Sequence, residues 1–262
     1  MFVGLLDRTF LMIYSDHGMR FGDLRRTYVG KLEERLPFVV LRLPPSLPGK
    51  MSAALRVNAV RLTTPFDIYE TLADLKEFDG KVRRGCDRVL RRGCSLLAEV
   101  PPERTCEVAG VLPHWCTCHE TVPVDPADPA VMRAADAVIG YINDLLLSVH
   151  RGRCARLRLR NDAVVEARRV RARDDVIRFR SSRRDVLGRT VDFETEAAAA
   201  RNSVVEYQLM LETTPGGAVF EATVRCRGDS SVHIADISRI NAYGDQSTCI
   251  DVHSHKKFCF CP

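Results

Sequence analysis

The stretch TFLMIYSDHGMRFG, Thr9 to Gly22, runs from apolar residues directly into Ser-Asp-His-Gly. Its first part, Thr9 to Ser15, is short, rich in Phe, Ile and Tyr and bounded by polar residues, which predicts a buried β-strand. Open α/β sheets build their sites at the carboxyl ends of strands, where the chain turns. Gly18 supplies the backbone freedom for such a turn, so Asp16 and His17 can converge on one point. The stretch therefore predicts a strand that ends in a functional site.

The chemistry of this site follows from its two side chains. A carboxylate beside an imidazole is a typical ligand pair for Zn²⁺, and carboxylates also bind Ca²⁺ or Mg²⁺. Asp16 and His17 are therefore candidate metal ligands. Because Asp-His-Gly is a short motif, the residues alone also allow a turn in which Asp16 caps the following segment and His17 is an incidental polar residue.

Strands and helices alternate in the segments that follow. A second strand is predicted from Pro37 to Leu43, before the turn-forming PPSLPG. A helix is predicted between Thr64 and Asp79, with Thr64 as N-cap and Pro65 at the first helical position. Another helix begins at Asp128 and Pro129 with the same cap pattern. This alternation favours a three-layer α/β sheet.

The pattern changes after about Arg153. The segments VVEYQLMLETTP, GGAVFEATVRC and SSVHIADISRI place β-forming residues around Pro-Gly-Gly and Gly-Asp-Ser-Ser turns, which predicts an antiparallel sheet. We expect three parts: an α/β domain over residues 1–126 with a cysteine-rich loop at 85–126, a connecting helix over 127–152, and a β-rich, cysteine-containing region over 153–262.

Composition limits the class of protein. The chain has 262 residues, 45% of them hydrophobic, enough to bury the core of one large domain or two smaller ones. The net charge of +5 is mild and both signs are present, so charge gives no argument for nucleic acid. No stretch approaches the roughly 18 uninterrupted apolar residues of a membrane helix.

Ten cysteines favour disulfides and an extracellular or secretory-lumen location, although no signal-peptide pattern is visible.

Two cysteine motifs invite comparison. HWCTCHE, His114 to Glu120, raises a zinc hypothesis, but Cys-x-Cys-His lacks the two-residue gap of zinc ribbons and has no second Cys-x-x-Cys half, so disulfides are favoured. A similar Cys-x-Cys, Cys259 and Cys261, makes pairing between the two motifs attractive while the connectivity stays open. His253 and His255 could share one face of a strand, although a surface turn is favoured.

Basic residues concentrate in EARRVRARDDVIRFRSSRRD. If this segment is extended, Arg168 to Arg184 could present guanidinium groups to a sulfated or phosphorylated polyanion such as a glycan. The favoured alternative is a solvated edge strand whose arginines discourage aggregation.

Four stretches, in order along the chain, carry a family resemblance. They are MIYSDHGMRFG, YVGKLEERLPFVVLRLP with its Arg-x-Pro, RLTTPFDIYETLADL with Asp-x-x-x-Thr-Leu, and RRGCSLLAEVP with Gly-x-Ser-Leu-Leu. Together they resemble the alkaline-phosphatase-like superfamily, which includes phosphodiesterases, phosphoethanolamine transferases and sulfatases. A closer resemblance is to the metazoan family known as domain of unknown function 229, which is itself alkaline-phosphatase-like and secreted or lumenal. The stretches that carry it are GLLDRTF onward, RTCEVAGVLPHWCTCHE, FEATVRC and DISRINAYGDQSTC.

The resemblance implies a metal-dependent reaction on a phosphate or sulfate ester. In the superfamily a Thr, Ser or modified Cys attacks phosphorus or sulfur beside one or two metal ions, and the resemblance makes Asp16 and His17 metal ligands. The nucleophile and the other ligands are expected upstream. The sequence is therefore expected to be the C-terminal portion of such a domain, inactive alone, with a divalent metal (Zn or Ca) in the complete domain only.

Two further residues follow from the sulfatase resemblance. Sulfatases hold the sulfate with a Lys or His in the segment before Arg-x-Pro, which makes Arg26 and Lys31 candidates for anion binding. A solvated loop or helix is the alternative for both. The rival hypothesis for the whole chain is a non-catalytic extracellular module that binds sulfated glycans.

Overall fold

The computed structural model describes residues 4–86, 92–171, 204–227 and 231–262. The chain divides into two compact units. The first comprises the residues up to Arg20 together with Leu24–Cys118, and the second comprises Phe21–Asp23 and His119–Pro262. The division after Cys118 lies ahead of the domain boundary predicted at 126, and the helix predicted as a connector at 127–152 belongs to the second unit.

The described part of the first unit contains two strands and three helices. Strand β1 (Leu11–Tyr14) pairs with β2 (Val39–Arg42) in an antiparallel sheet, and the helices are α1 (Tyr28–Arg35), α2 (Gly49–Asn58) and α3 (Pro65–Lys76). Short 3-10 turns occupy Asp23–Arg26, before α1, and Pro113–Trp115. Both predicted strands are confirmed. The unit is mixed α/β, with antiparallel rather than parallel pairing; the three-layer arrangement stays a prediction.

The prediction that β1 is buried is wrong. The Ile13 and Tyr14 side chains are 52% and 54% exposed, and Val40 on the paired strand is 41% exposed. A strand buried on both faces needs layers packed against both. Within the part of the chain that the structure describes, β1 has β2 as its one strand neighbour, so apolar sequence alone does not bury it.

Helix α3 begins as its sequence predicts. Thr64 has extended backbone and caps the helix, Pro65 occupies the first turn, and the carboxylate of Asp67 accepts a hydrogen bond from the Thr64 backbone N–H at 2.6 Å. This reciprocal capping box satisfies N–H groups that a helix start leaves without partners. The prediction of a capped helix here is confirmed.

Asp67 also anchors the segment that follows the helix. Its side chain is fully buried, and Arg104 Nη1 lies 2.9 Å from its Oδ2 while the backbone N–H of Cys94 donates to its Oδ1 at 2.8 Å. One helix turn later, Thr71 Oγ1 accepts from the backbone N–H of Leu96 at 2.8 Å. The Asp-x-x-x-Thr-Leu and Gly-x-Ser-Leu-Leu stretches therefore form one hydrogen-bonded structural element.

Asn58, at the end of α2, holds the same segment from the other side. Its amide nitrogen donates to the carbonyls of Leu96 and Ala98 at 3.0 and 2.8 Å, and its oxygen accepts from the N–H of Val100 at 2.8 Å. These contacts satisfy the polar backbone groups of a buried loop.

The second unit is a helix packed on an antiparallel sheet. Helix α4 (Pro129–His150) starts at Asp128, whose carboxylate accepts from the backbone N–H of Ala130 at 2.7 Å, as its sequence predicts. The sheet contains β3 (Thr121–Val124), β4 (Arg158–Leu159), β5 (Glu166–Val170), β6 (Val205–Thr214), β7 (Val219–Cys226) and β8 (Val232–Arg239). Their order is β3-β5-β6-β7-β8, with β4 also paired to β6. The predicted antiparallel sheet is confirmed.

One apolar core joins helix and sheet. It includes the fully buried side chains of Val138, Ile142, Leu209, Leu211 and Phe220. The prediction that the arginine-rich segment is an edge strand is wrong for its described part, because β5 lies between β3 and β6. Residues 172–185 of that segment lie outside the described residues.

Four disulfides are present among the described cysteines: Cys86–Cys94, Cys106–Cys116, Cys154–Cys259 and Cys249–Cys261. The sequence left the connectivity open, and the structure does not pair the two Cys-x-Cys motifs with each other. Cys116 joins Cys106 in the first unit, and Cys259 and Cys261 are bridged within the second. No described helix has the length and apolar character needed to cross a membrane. Several disulfides are compatible with a secreted protein.

The two C-terminal histidines lie in a short turn of helix, α5 (His253–Lys256), which supports the turn hypothesis over the strand. His253 is exposed. His255 Nδ1 lies 3.0 Å from Nε2 of His150, the buried last residue of α4. Burial, followed by the nearby charges of His255 and Arg153, lowers the pKa of His150 below its usual 6.5.

Candidate functional site

The candidate metal ligands follow the last paired residue of β1. The Ser15 N–H donates to the Phe38 carbonyl at 2.9 Å, and the Phe38 N–H donates to Ser15 Oγ at 3.0 Å. The ladder ends there, so Asp16 and His17 leave the sheet at a strand end, as predicted.

Gly18 is needed for a different reason from the one predicted. A Cβ at this position would overlap the carbonyl oxygen of Glu33, near the end of α1, and the Gly18 N–H donates to the Glu34 carbonyl at 3.0 Å. Close approach of two backbones, rather than a left-handed turn, requires glycine here. This contact fixes where the Asp-His pair sits relative to α1.

The two side chains are arranged as ligands of one ion would be. His17 Nδ1 lies 2.7 Å from the Gly18 carbonyl, so Nδ1 carries the proton and the Nε2 lone pair is available. Nε2 and Asp16 Oδ2 are 3.4 Å apart. Two ligands at about 2.0–2.1 Å from a tetrahedral ion stand roughly 3.3–3.4 Å apart, so the spacing fits.

Electrostatics favour the same role. The hydrogen bond from the His17 backbone N–H, at 2.8 Å, is the main cause that lowers the pKa of the Asp16 carboxyl, and the nearby charge of Arg20 acts in the same direction. Asp16 is exposed and therefore ionised at neutral pH. Among the described residues, three potential ligands converge only at two cysteine clusters, so Asp16 and His17 contribute two ligands to any site.

A cavity of about 710 Å³ in the first unit is lined by both residues. Its basic lining residues are Arg20, Arg35, Arg61 and Arg92. Its apolar walls include Leu36, Pro37, Phe66, Leu112 and Trp115. Glu34, which is ion-paired with Arg25, is a second carboxylate of the lining beside Asp16. The candidate ligands thus face a space with arginine and apolar surfaces, a composition that suits an anion with an apolar group.

The anion-binding candidates Arg26 and Lys31 are not among the residues that line this cavity. Arg26 is exposed in the 3-10 turn, and Lys31 is a buried residue of α1. Their neighbour Arg25 forms a buried ion pair with Glu34, with Nε 2.7 Å from Oε2. The basic residues of this segment therefore include a structural ion pair, and an anion-binding role for Arg26 or Lys31 stays a prediction.

The arginines of the cavity differ in how they are held. Arg92 stacks over Phe66, with its guanidinium carbon 3.7 Å from the ring centre, and donates to the Gly110 carbonyl at 3.3 Å. Arg35 lies against Trp115. The buried Nε of Arg61 has no hydrogen-bond partner.

The HWCTCHE motif forms another part of the cavity wall. Cys106 and Cys116 are bridged, Cys118 is free and exposed, and the three sulfur atoms lie within 4.8 Å of one another. The bridge confirms the preference for disulfides. Such a cluster could ligate a metal only with the bridge reduced, because thiolates are the ligands.

Fold and site together define a disulfide-bridged protein with a mixed α/β unit, in which Asp16 and His17 line a cavity, and a helix-on-sheet unit. The sequence profile of a family described as protein of unknown function (DUF229) matches residues 3–162. Because that match covers more than half of the chain, this protein belongs to the DUF229 family. No curated protein and no solved structure matches the chain.

The family match covers the whole Asp-His region, α1 to α4 and the first cysteine motif. The C-terminal stretches FEATVRC and DISRINAYGDQSTC lie beyond the matched residues. Sequence reasoning missed Arg20, Arg61 and Trp115 as cavity residues. No local signal could have found them, because they come from three separate segments that meet only in the folded chain.

Proposed function

We propose that the first unit carries part of the site of a metal-dependent hydrolase or transferase of phosphate or sulfate esters, of the alkaline-phosphatase-like kind. The observation that carries the proposal is the 3.4 Å separation of His17 Nε2 and Asp16 Oδ2 in a cavity that is also lined by arginines. A cation at the pair and the guanidinium groups that line the same cavity would both favour an anionic ester.

Each described residue has a definite task in this proposal. Asp16 and His17 hold a divalent ion, Zn²⁺ or Ca²⁺, whose chemistry is to stabilise negative charge on a phosphoryl or sulfuryl group. The Gly18 carbonyl fixes the His17 tautomer, and the arginines orient the anion by charge-assisted hydrogen bonds. The resemblance implies a nucleophile and further metal ligands beside this pair, and the activity proposed is that of a domain that has them.

Metal titration tests the ligand assignment. Calorimetric titration of the oxidised protein with Zn²⁺ and with Ca²⁺ is expected to show a site that Asp16→Asn and His17→Gln each weaken at least about tenfold, the effect of losing a ligand contact. His253→Gln, at an exposed histidine of the second unit, is the control and should leave the affinity unchanged. Equal affinity in all variants would end the assignment.

The second candidate function, a polyanion-binding module, is favoured by a separate observation. A cleft of about 830 Å³ in the second unit is lined by Arg171, Arg225, Arg227 and His233, with Glu206 as an acidic member. Arg168, predicted for this role, is instead held by Thr121, whose Oγ1 accepts from its Nε at 2.8 Å. Sulfated glycans match this charge pattern.

Heparin chromatography separates this candidate from the first. Arg227→Ala combined with Arg225→Ala should elute at lower salt than the unmodified protein, because two guanidinium contacts are lost. Arg156→Ala combined with Arg158→Ala removes the same number of charges from exposed residues outside the cleft, and this control should elute at higher salt than the cleft variant. Identical elution of all three proteins argues against the cleft.

A further inference from the structure

Arg61 is one of two cavity arginines with buried donors that lack an acceptor, and it differs from Arg35 in having no hydrogen bond, ion pair or ring contact with a described side chain, whereas Arg35 contacts His114 and Trp115. It follows α2 and lines the cavity that contains Asp16 and His17. Its Nε is buried and has no hydrogen-bond partner, and no described residue accepts a hydrogen bond from its guanidinium or forms an ion pair with it. A buried donor without an acceptor is costly, and more so when it is charged.

The neighbouring arginine shows what a structural role looks like in this cavity. Arg92 has a ring beneath its guanidinium and a carbonyl acceptor, at 3.7 and 3.3 Å. One of its donors is therefore engaged, and its guanidinium plane lies over Phe66. Arg61 has the same charge and lines the same cavity, but no described residue accepts a hydrogen bond from its guanidinium N–H groups.

We propose that Arg61 binds the anionic group of the substrate, and that this substrate is a phosphate or sulfate monoester of an aryl or similarly apolar alcohol. A guanidinium donates two parallel hydrogen bonds to two oxygens of such a group, and the match is geometric as well as electrostatic. This inference rests on the proposed function only for the chemistry that follows binding; recognition by Arg61 needs no metal.

The walls of the cavity determine the nature of the alcohol. Leu36 and Leu112 line the cavity although they are 57% and 61% exposed, and Pro37, Phe66 and Trp115 add flat apolar surface. Exposed apolar side chains grouped around a concave space mark a binding surface more often than ordinary packing does. The volume, about 710 Å³, lies within the range of small-molecule pockets, roughly 300–1,000 Å³.

Trp115 supplies a direct readout, because it is the one tryptophan in the chain and it lines the cavity. Phenyl phosphate and phenyl sulfate serve as probes, with inorganic phosphate and sulfate as the anions alone and phenyl glucoside as the neutral ring. Quenching or enhancement of Trp115 fluorescence gives the affinity, and calorimetry gives an independent value. All titrations are repeated with EDTA.

Arg61→Ala is expected to weaken phenyl phosphate or phenyl sulfate binding at least about tenfold, the loss of a charge-assisted pair. Arg61→Lys should show an intermediate loss of affinity, because the positive charge is kept but the pair of parallel guanidinium donors is not. Arg56→Ala removes an exposed arginine of α2 that is not a lining residue, and it should bind as the unmodified protein does. Unchanged thermal melting of Arg61→Lys shows that the comparison concerns folded protein.

Three results would overturn the inference. Equal affinity of Arg61→Ala and Arg56→Ala for both phenyl esters removes Arg61 from recognition. Inorganic anions that bind as tightly as the phenyl esters contradict the apolar alcohol, and phenyl glucoside that binds as tightly contradicts the anion. The Asp16→Asn variant separates this inference from the proposed function. If it abolishes metal binding while phenyl ester binding still depends on Arg61, both proposals stand. If Asp16→Asn leaves metal binding unaffected while phenyl ester binding still depends on Arg61, only the proposed function fails.

Discussion

The first and the second unit are each stabilised by a different kind of buried internal contact. In the first, buried polar side chains join separate segments beside a small apolar cluster of Cys94, Leu96 and Val100. The polar contacts are those of Asp67 with Arg104, of Arg25 with Glu34, and of Asn58. In the second, the contact between α4 and the sheet is a continuous apolar core.

The difference matters because the two kinds of contact respond differently to change. Apolar packing has no direction, so a lost methyl group costs its transfer energy and the cavity left behind. A buried ion pair is a specific arrangement, and removing one partner leaves an uncompensated charge. The first unit, which carries the candidate site, is therefore expected to be sensitive at a few polar positions, and the second over its whole apolar core.

The largest contrast is expected from the disulfides. Cys154 and Cys259 are 105 residues apart, while Cys106 and Cys116 are 10 apart. Replacing the first pair with serine is expected to cost about 4.7 kcal/mol in unfolding free energy, against roughly 3 kcal/mol for the second, because a longer closed loop constrains the unfolded chain more. Urea unfolding followed by far-UV circular dichroism measures both. Equal losses would show that loop entropy does not govern the difference.

Next in size is the buried ion pair of the first unit. Asp67→Ala is expected to cost about 3–5 kcal/mol, because Arg104 stays buried without its carboxylate. Urea unfolding followed by Trp115 fluorescence reports on this unit alone. The double variant Asp67→Ala with Arg104→Met should recover part of the loss. If it does not, the capping and backbone hydrogen bonds of Asp67, rather than the charge pair, carry its effect.

Two asparagines give a matched comparison between the units. Asn58 makes three hydrogen bonds to a buried loop, and Asn143 makes two, both to the backbone of Leu157. Each change to alanine is expected to cost about 1–3 kcal/mol, with the larger value at Asn58, because more buried backbone groups lose partners. Urea unfolding of both variants checks the order. A larger loss at Asn143 would contradict the view that the first unit depends more on polar contacts.

The smallest effect is expected at His150. Its folded-state pKa is lowered, first by burial, so the folded protein binds this proton less readily than the unfolded chain does. The contribution to stability is therefore present above pH 6.5 and is lost as the pH falls below that value toward the folded-state pKa. Melting temperatures at pH 7.5 and 5.5 should differ less in His150→Gln than in the unmodified protein. An equal difference in melting temperature between the two pH values in both proteins would exclude His150 as a source of the pH dependence.

Local signals in the sequence predicted local structure well. Thr64, Pro65 and Asp67 specify the start of α3, and Asp128 with Pro129 specifies that of α4, because capping depends on neighbouring residues. Strands β6, β7 and β8 were equally evident from their β-forming residues and turns.

Long-range features could not be predicted in the same way. The exposure of β1, the interior position of β5 and the Cys106–Cys116 bridge depend on which segments meet, and no neighbouring residue encodes that. The residues of the candidate site also differ in whether a local sequence signal predicts them. Asp16 and His17 are adjacent and carried a signal, whereas Arg61 joins them only through the folded cavity.

The cluster of Cys106, Cys116 and Cys118 has a practical consequence for anyone who purifies this protein. A free thiolate within 4.8 Å of a bridge is placed to displace either of its sulfurs, which makes one new bond, breaks one and releases one thiolate. Colorimetric thiol assays count the same number before and after. Bridge isomers would therefore pass as one homogeneous preparation, and only peptide mapping of acid-quenched, alkylated protein would distinguish them.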